Sequence, residues 1–309
     1  MPFWNIFPSC RGKDIVFSNY WKKFGRGCNY IWNRKKSKMD RKLRLGKFPF
    51  LNCVPIYYGL ETGKIKCKEE FHLISAPPTN LNNLLKKAKL DISPISSIAY
   101  VDIVNECLIL PELSISAKGK VKSVVLFSRV PIEELDGCPV FVTKQSATSV
   151  ALLKLILKKE FGIKPIYKKG EIIKFNGTVI AGLAIGDAAL NLRAKRIYPY
   201  QLDLSEIWQK WTGLPFVFSF FVVRKTFWEM HRRKIINIWQ ALLASKKWGL
   251  SHLNIIATLY KHLDNPIAYW QCLNYDLSSL HLESLRLFFY HLKEMEEIVT
   301  IPEIKLMEI

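Results

Sequence analysis

Two apolar runs, KSVVLFSR at Lys122–Arg129 and FVFSFFVVR at Phe216–Arg224, bracket a block of chain with its own strand, loop and helix order. Unbroken apolar runs rich in β-branched and aromatic residues read as strands buried on both faces. Inside the block, LDGCPVFVTKQSATSVALLKLIL passes from strand through polar loop into a helix with Val150, Leu153 and Leu157 on one face. AGLAIGDAAL adds an apolar strand that ends at Gly186-Asp187. This order predicts a chain that leaves one lobe, builds a second, and returns to finish the first. The boundaries expected are 39–128 plus 218–309 for a discontinuous first lobe and 129–217 for an inserted second one, with a ligand cleft between them.

The flanking segments agree with an α/β class. LRLGKFPF begins as a strand and runs into LNCVPIYYGLE, where Asn52 and Pro55 suit a strand-to-helix turn. A strand over Phe71–Ser75 leads to a helix with Leu81, Leu84, Leu85 and Ala88 on one face and Thr79 as N-cap. LDISPISSIAYV reads as a short strand broken at Ser93-Pro94 and opening a helix. Alternating strands and helices imply a largely parallel sheet. Late in the chain, Ile235, Ile238, Trp239 and Leu242, and then Leu285, Phe288, Phe289 and Leu292, repeat helical spacing as core stripes.

The chain carries 46 Lys/Arg against 26 Asp/Glu, a net charge of +20, and it is unevenly spread. Residues 1–38 hold nine basic residues and one Asp, interleaved with Trp4, Tyr20, Trp21, Tyr30 and Trp32 and without either periodicity. That stretch is expected to be a disordered basic extension. The rival reading, a nucleic-acid arm with stacking aromatics, predicts steeply salt-dependent binding lost on deletion to Met39. For the rest of the chain no nucleic-acid partner is expected. No apolar run approaches the roughly 20 residues of a membrane span, and the start lacks the apolar stretch of a secretory signal. Seven cysteines (Cys10, Cys28, Cys53, Cys67, Cys107, Cys138 and Cys272) without a C-x-x-C pair suggest neither a disulfide framework nor a zinc site, and a reducing cytoplasm is the expected compartment.

Four polar clusters fall where strands end or helices open: Asn52; Ser93, Ser96 and Ser97; Thr143, Ser146, Thr148 and Ser149; and Gly186-Asp187. In open α/β sheets ligands lie beyond the carboxyl ends of strands, so all four can line one cleft. Hydroxyls at a helix N-terminus bind carboxylate or phosphate, although helix capping or a turn accounts for each cluster taken alone. None of the six histidines falls in these clusters. Glycine-rich phosphate loops, dinucleotide fingerprints, a nucleophile elbow and a metal-ligand set are absent from the sequence, which leaves positioning and electrostatics as the available chemistry. No metal or cofactor is expected.

Taken together, LRLGKFPFLNCVPIYYGLE, LDISPISSIAY, SVVLFSRVPIEELDG, SATSVALL, IGDAAL and WQKWTGLPFVFSFFVVRK resemble, in order and from about Leu43 onward, the family that unites chorismate dehydratase with 1,4-dihydroxy-6-naphthoate synthase of menaquinone biosynthesis. Residues 1–38 lie outside the resemblance. It implies a two-lobed, type II periplasmic-binding-protein-like fold used by a cytoplasmic hydro-lyase whose substrate, chorismate, is a small dianion. The resemblance assigns Asn52 to the family's catalytic position, holding the leaving hydroxyl or the enolpyruvyl group. It puts Ser96 and Ser97 on one carboxylate, and Ser146, Thr148 and Ser149 on the other. Asp187 either orients the ring hydroxyl or caps its helix, and the proton goes to a substrate carboxylate or to Asp187, the first being favoured. Some relatives carry Arg where this chain has Ala147, so Lys144 is a candidate substitute charge. The naphthoate synthase activity, expected to need a stronger base such as a histidine in the cleft, and non-catalytic solute binding remain the alternatives.

Overall fold

The computed structural model describes residues 42–309 apart from 176, 262 and 264. The basic extension over residues 1–38, with the expectations of disorder and of nucleic-acid binding attached to it, lies outside the described residues.

From Lys42 the chain runs β1 (Leu43–Lys47), α1 (Val54–Glu61), β2 (Phe71–Ser75), α2 (Pro78–Lys86), β3 (Ile92–Ser96) and β4 (Cys107–Ala117). It continues as β5 (Val124–Ser128), β6 (Pro139–Val142), α3 (Ala147–Lys159), β7 (Ile166–Lys169), β8 (Ala181–Ile185), α4 (Gly186–Lys195), β9 (Tyr200–Asp203) and α5 (Leu204–Thr212). The return is β10 (Phe216–Arg224), α6 (Lys225–Ser251), α7 (Leu253–Ala257), α8 (Pro266–Trp270) and α9 (Ser279–Glu294).

Among the described residues ten strands form two five-stranded sheets, ordered β2-β1-β3-β10-β4 and β7-β6-β8-β5-β9. Each is parallel at one end, with antiparallel pairings around a strand contributed from across the molecule. β10 runs antiparallel to β3 and β4 in the first sheet, and β5 antiparallel to β8 and β9 in the second. The chain therefore crosses between Ala117 and Val124 and again between Asp203 and Phe216. The first crossing corrects the boundary expected at residue 129, which puts Val124–Ser128 in the first lobe. That strand is buried along its whole length, and a run that is apolar on both faces carries no information about which sheet receives it.

Three local expectations also change. β3 is continuous through Pro94, because β1 pairs with it at Leu45↔Ile92, before the proline that would have deprived the ladder of a donor. Helix α2 opens at Pro78 after Pro77 rather than on a Thr79 cap; proline suits the first helical position, whose amide has no intrahelical partner. The helix after β3 is a 3-10 segment, Ser97–Asp102. β4 has no clear signature in the sequence, since Pro111 and Glu112, the latter at φ 59°, interrupt its pattern. Helix α6 compensates there: the Trp239 indole N–H donates to the Pro111 carbonyl at 2.9 Å, and Lys246 Nζ donates to the Glu112 carbonyl at 2.7 Å and to Asp276 at 2.6 Å.

The main core spans both sheets. Its aromatic centre is Trp208 of α5, fully buried, edge-on to Phe216 and Phe288, with its indole N–H donating to Ser284 Oγ at 3.0 Å. Beside β1, the buried carboxylate of Asp91 accepts from the Arg44 amide and from both arms of its guanidinium at 2.9–3.2 Å. Among the described residues no helix is long and apolar enough to cross a membrane.

Candidate functional site

A cavity of about 590 Å³, the open solvent at its mouth included, lies between the two sheets. The carboxyl ends of the parallel strands build it, as the fold class requires. From the first sheet come Phe48 and Phe50 after β1, Asn52 in the 3-10 turn Leu51–Cys53, Ser96 at the end of β3, and Phe218 and Ser219 of β10. From the second come Val124 of β5, Ser146 and Ser149 at the start of α3, and Ile185 and Gly186 at the junction of β8 and α4. Gly186 sits at φ +56°, where a side chain is strained, and its N–H donates to the Ser123 carbonyl at 2.7 Å. Ser123 thus ties the first crossing to the cavity wall.

Asn52 holds the most informative atom. Its Oδ1 is buried and has no hydrogen-bond partner, a state that costs about 1–3 kcal/mol in a protein interior unless a ligand supplies the donor. The thiol next to it, Cys53, is fully buried and burial pushes it up to about 12, which removes it as a nucleophile.

Ser96 and Ser219 face each other across the β3–β10 pairing and both are nearly buried. The Asn82 side-chain amide donates weakly to Ser96 Oγ at 3.5 Å, and Asn82 Oδ1 is itself buried without a partner. Ser146 caps α3, accepting from the Ser149 amide at 3.2 Å, while its hydroxyl donates to Ser149 Oγ at 2.9 Å. Asn52, Ser96, Ser146 and Ser149 are therefore brought together around one space.

The remaining candidates are directed elsewhere. Ser97 is buried with its hydroxyl donating to the Val217 carbonyl at 2.6 Å, which locks the 3-10 turn to β10. Thr148 Oγ1 accepts from the Ile98 amide at 3.1 Å, a bond between the lobes. Thr143 accepts from the Gln145 amide at 3.1 Å and faces a smaller hollow beside Glu171. Asp187 is exposed in the first turn of α4 and does not line the cavity. Burial raises the Tyr260 and Tyr269 phenols above their usual range, and the Asp187 charge adds to both.

No Lys, Arg, His, Asp or Glu is among the described residues that line the cavity. Lys144 and Ala147 are exposed and outside it. Among the described residues no group of three or more His, Cys, Asp or Glu is placed to hold a metal ion. The site is an aromatic slot with hydroxyls on both walls and one side-chain amide in its lining. Sequence reasoning missed Ser123, Ser219 and the wall of Phe48, Phe50 and Phe218. A serine inside the otherwise apolar run of β10 was the available signal for Ser219.

Two sheets, two crossings and a cavity at the strand ends define a type II periplasmic-binding-protein-like α/β protein. The periplasmic aliphatic sulphonate-binding protein SsuA of Escherichia coli shares the fold, with a TM-score of 0.60 at 14% identity over 87% of this chain and 92% of that one. Within that class, the chain belongs to the menaquinone-biosynthesis family, whose pattern matches residues 43–294. It is 32% identical over 233 residues to the chorismate dehydratase of Thermus thermophilus, covering 69% of this chain and 79% of that protein. The 1,4-dihydroxy-6-naphthoate synthase of the same organism is 25% identical over 210 residues, covering 68% and 75%.

Proposed function

We propose that this protein is a cytoplasmic hydro-lyase that removes water from chorismate to give 3-[(1-carboxyvinyl)oxy]benzoate. The observation that carries the reading is the unpartnered, buried amide oxygen of Asn52, a residue lining a cavity with hydroxyls on opposite walls. A neutral amide both accepts and donates, so Asn52 can hold the C4 hydroxyl of the substrate while its C–O bond breaks. The electron pair of the C3–H bond enters the ring as it becomes aromatic, the hydroxyl departs with the C–O pair, and the C3 proton completes the water. Aromatisation makes this step downhill, so orientation and charge stabilisation suffice without a strong base.

With no Lys, Arg, His, Asp or Glu among the described residues that line the cavity, a carboxylate of the substrate is the proton acceptor we favour, and Asp187, exposed outside it, is the less direct choice. Ser96 with Ser219 on one wall and Ser146 with Ser149 on the other are the proposed carboxylate contacts. Ser97, Thr143 and Thr148, engaged with backbone groups, support them from behind. The absence of histidine from the described lining favours dehydration over the naphthoate synthase reaction. The test is incubation of the protein with chorismate: release of an aromatic enolpyruvyl ether supports the reading, and tight binding without turnover favours a solute-binding role.

A further inference from the structure

The neutral lining poses a physical question, because a dianion leaves water reluctantly without a cation nearby. The geometry points to a second anion site, in a larger cavity of about 1310 Å³, mouth included, on the other side of the Leu51–Cys53 turn. Three cationic side chains line it: Lys122 from the first crossing, Arg193 near the end of α4 and Arg196 just beyond. No carboxylate is among its described lining residues. The buried carboxylate of Asp203, which Arg193 influences, accepts from the amides of Val121, Lys122 and Glu206.

One wall separates this cavity from the slot described above. Leu51 faces it while its neighbour Asn52 faces the slot. Tyr269 lines it, and the Tyr269 hydroxyl donates to Ser123 Oγ, on the slot side, at 3.0 Å. The Trp270 indole N–H pins the wall by donating to the Leu51 carbonyl at 2.8 Å. Guanidinium groups match planar oxyanions, and a cleft of one sign raises the local concentration of the opposite charge. The ligand is thus a small oxyanion, carboxylate or phosphate. It is either the substrate, captured before it enters the slot, or a separate anion.

Calorimetric titration of the full chain with inorganic phosphate at low ionic strength tests the site, using wild type and the R193Q/R196Q variant. A saturable phosphate site weakened about tenfold or more in the variant, and weakened by added salt, is the expected result. Absent saturation in the wild type, or equal affinity in the variant, overturns the proposal. Steady-state turnover of chorismate, an arm that rests on the function proposed above, separates the two sources. A several-fold fall in kcat/KM at low salt with kcat retained assigns the site to the substrate, whereas unchanged turnover alongside lost phosphate binding assigns it to a separate anion. Should the protein not turn over chorismate at all, the phosphate arm still decides. If R193Q/R196Q fails to fold, as its thermal unfolding would reveal, K122Q is read in the same way.

Discussion

Asn52 shows how a local deficit marks function at the scale of a single residue. Its buried, unpartnered oxygen is a cost to folding that a ligand donor would remove. Asn52→Leu should therefore leave the melting temperature unchanged or higher while turnover falls about 100-fold or more, as followed by thermal unfolding and product formation. Asp187→Asn is expected to keep turnover near wild type if the substrate supplies the base; lost turnover with retained binding would contradict that route. His281 gives a pH signature. Burial holds its imidazole below the usual range, Nε2 has no partner and Nδ1 accepts from the Ser278 amide. Below about pH 6.5 the unfolded chain takes up a proton that the folded one resists. Stability should therefore fall as pH drops from 7 through the lowered folded value, by at most about 1.4 kcal/mol per pH unit, and His281→Gln should remove that component in denaturant titrations. That Asn52, Ser96, Ser146 and Ser149 line one cavity follows from strand-end position and residue type, both readable in the sequence. The direction of the Ser97 and Thr148 hydroxyls is not written in the sequence, since it depends on tertiary neighbours, here Val217 and Ile98.

Among the elements, α3 joins fold to site. Its Ser146 cap faces the cavity, and its first turn accepts from the other lobe through Thr148. Ser146→Ala should cost about 1 kcal/mol of stability and raise KM for the substrate as well, whereas Thr148→Ala should act on lobe closure alone. The strands Phe71–Ser75 and Phe216–Arg224 were readable to the residue because composition and flanking turns agree there. β4 was hidden, as its break at Pro111–Glu112 is repaired only by Trp239 and Lys246, more than a hundred residues later in the chain. The placement of β5 was hidden for a different reason: pairing partners, unlike burial, are not encoded in periodicity.

Across the whole molecule, the lobes are held together around the cavity by the Thr148–Ile98 bond and by ion pairs from α3 to the end of α9 and beyond, Lys154–Glu297 at 2.6 Å and Lys159–Glu294 at 3.2 Å. Partly exposed pairs contribute about 0–1 kcal/mol each, enough to bias an open–closed equilibrium without fixing it. Replacing both lysines by Met should increase the radius of gyration of the free protein in solution scattering and raise KM several-fold, with added ligand restoring compaction. The alternation of strands and helices made two lobes visible in the sequence, but the neutral cavity beside a cationic one emerges only once distant segments meet. Against that arrangement, the net charge of +20 is informative mainly through where it is absent. The most direct measurement is the absorbance and mass of the products after the protein is incubated with chorismate. Loss of one water to give 3-[(1-carboxyvinyl)oxy]benzoate, abolished in Asn52→Leu, is the predicted result; chorismate recovered intact after saturable binding would contradict the account.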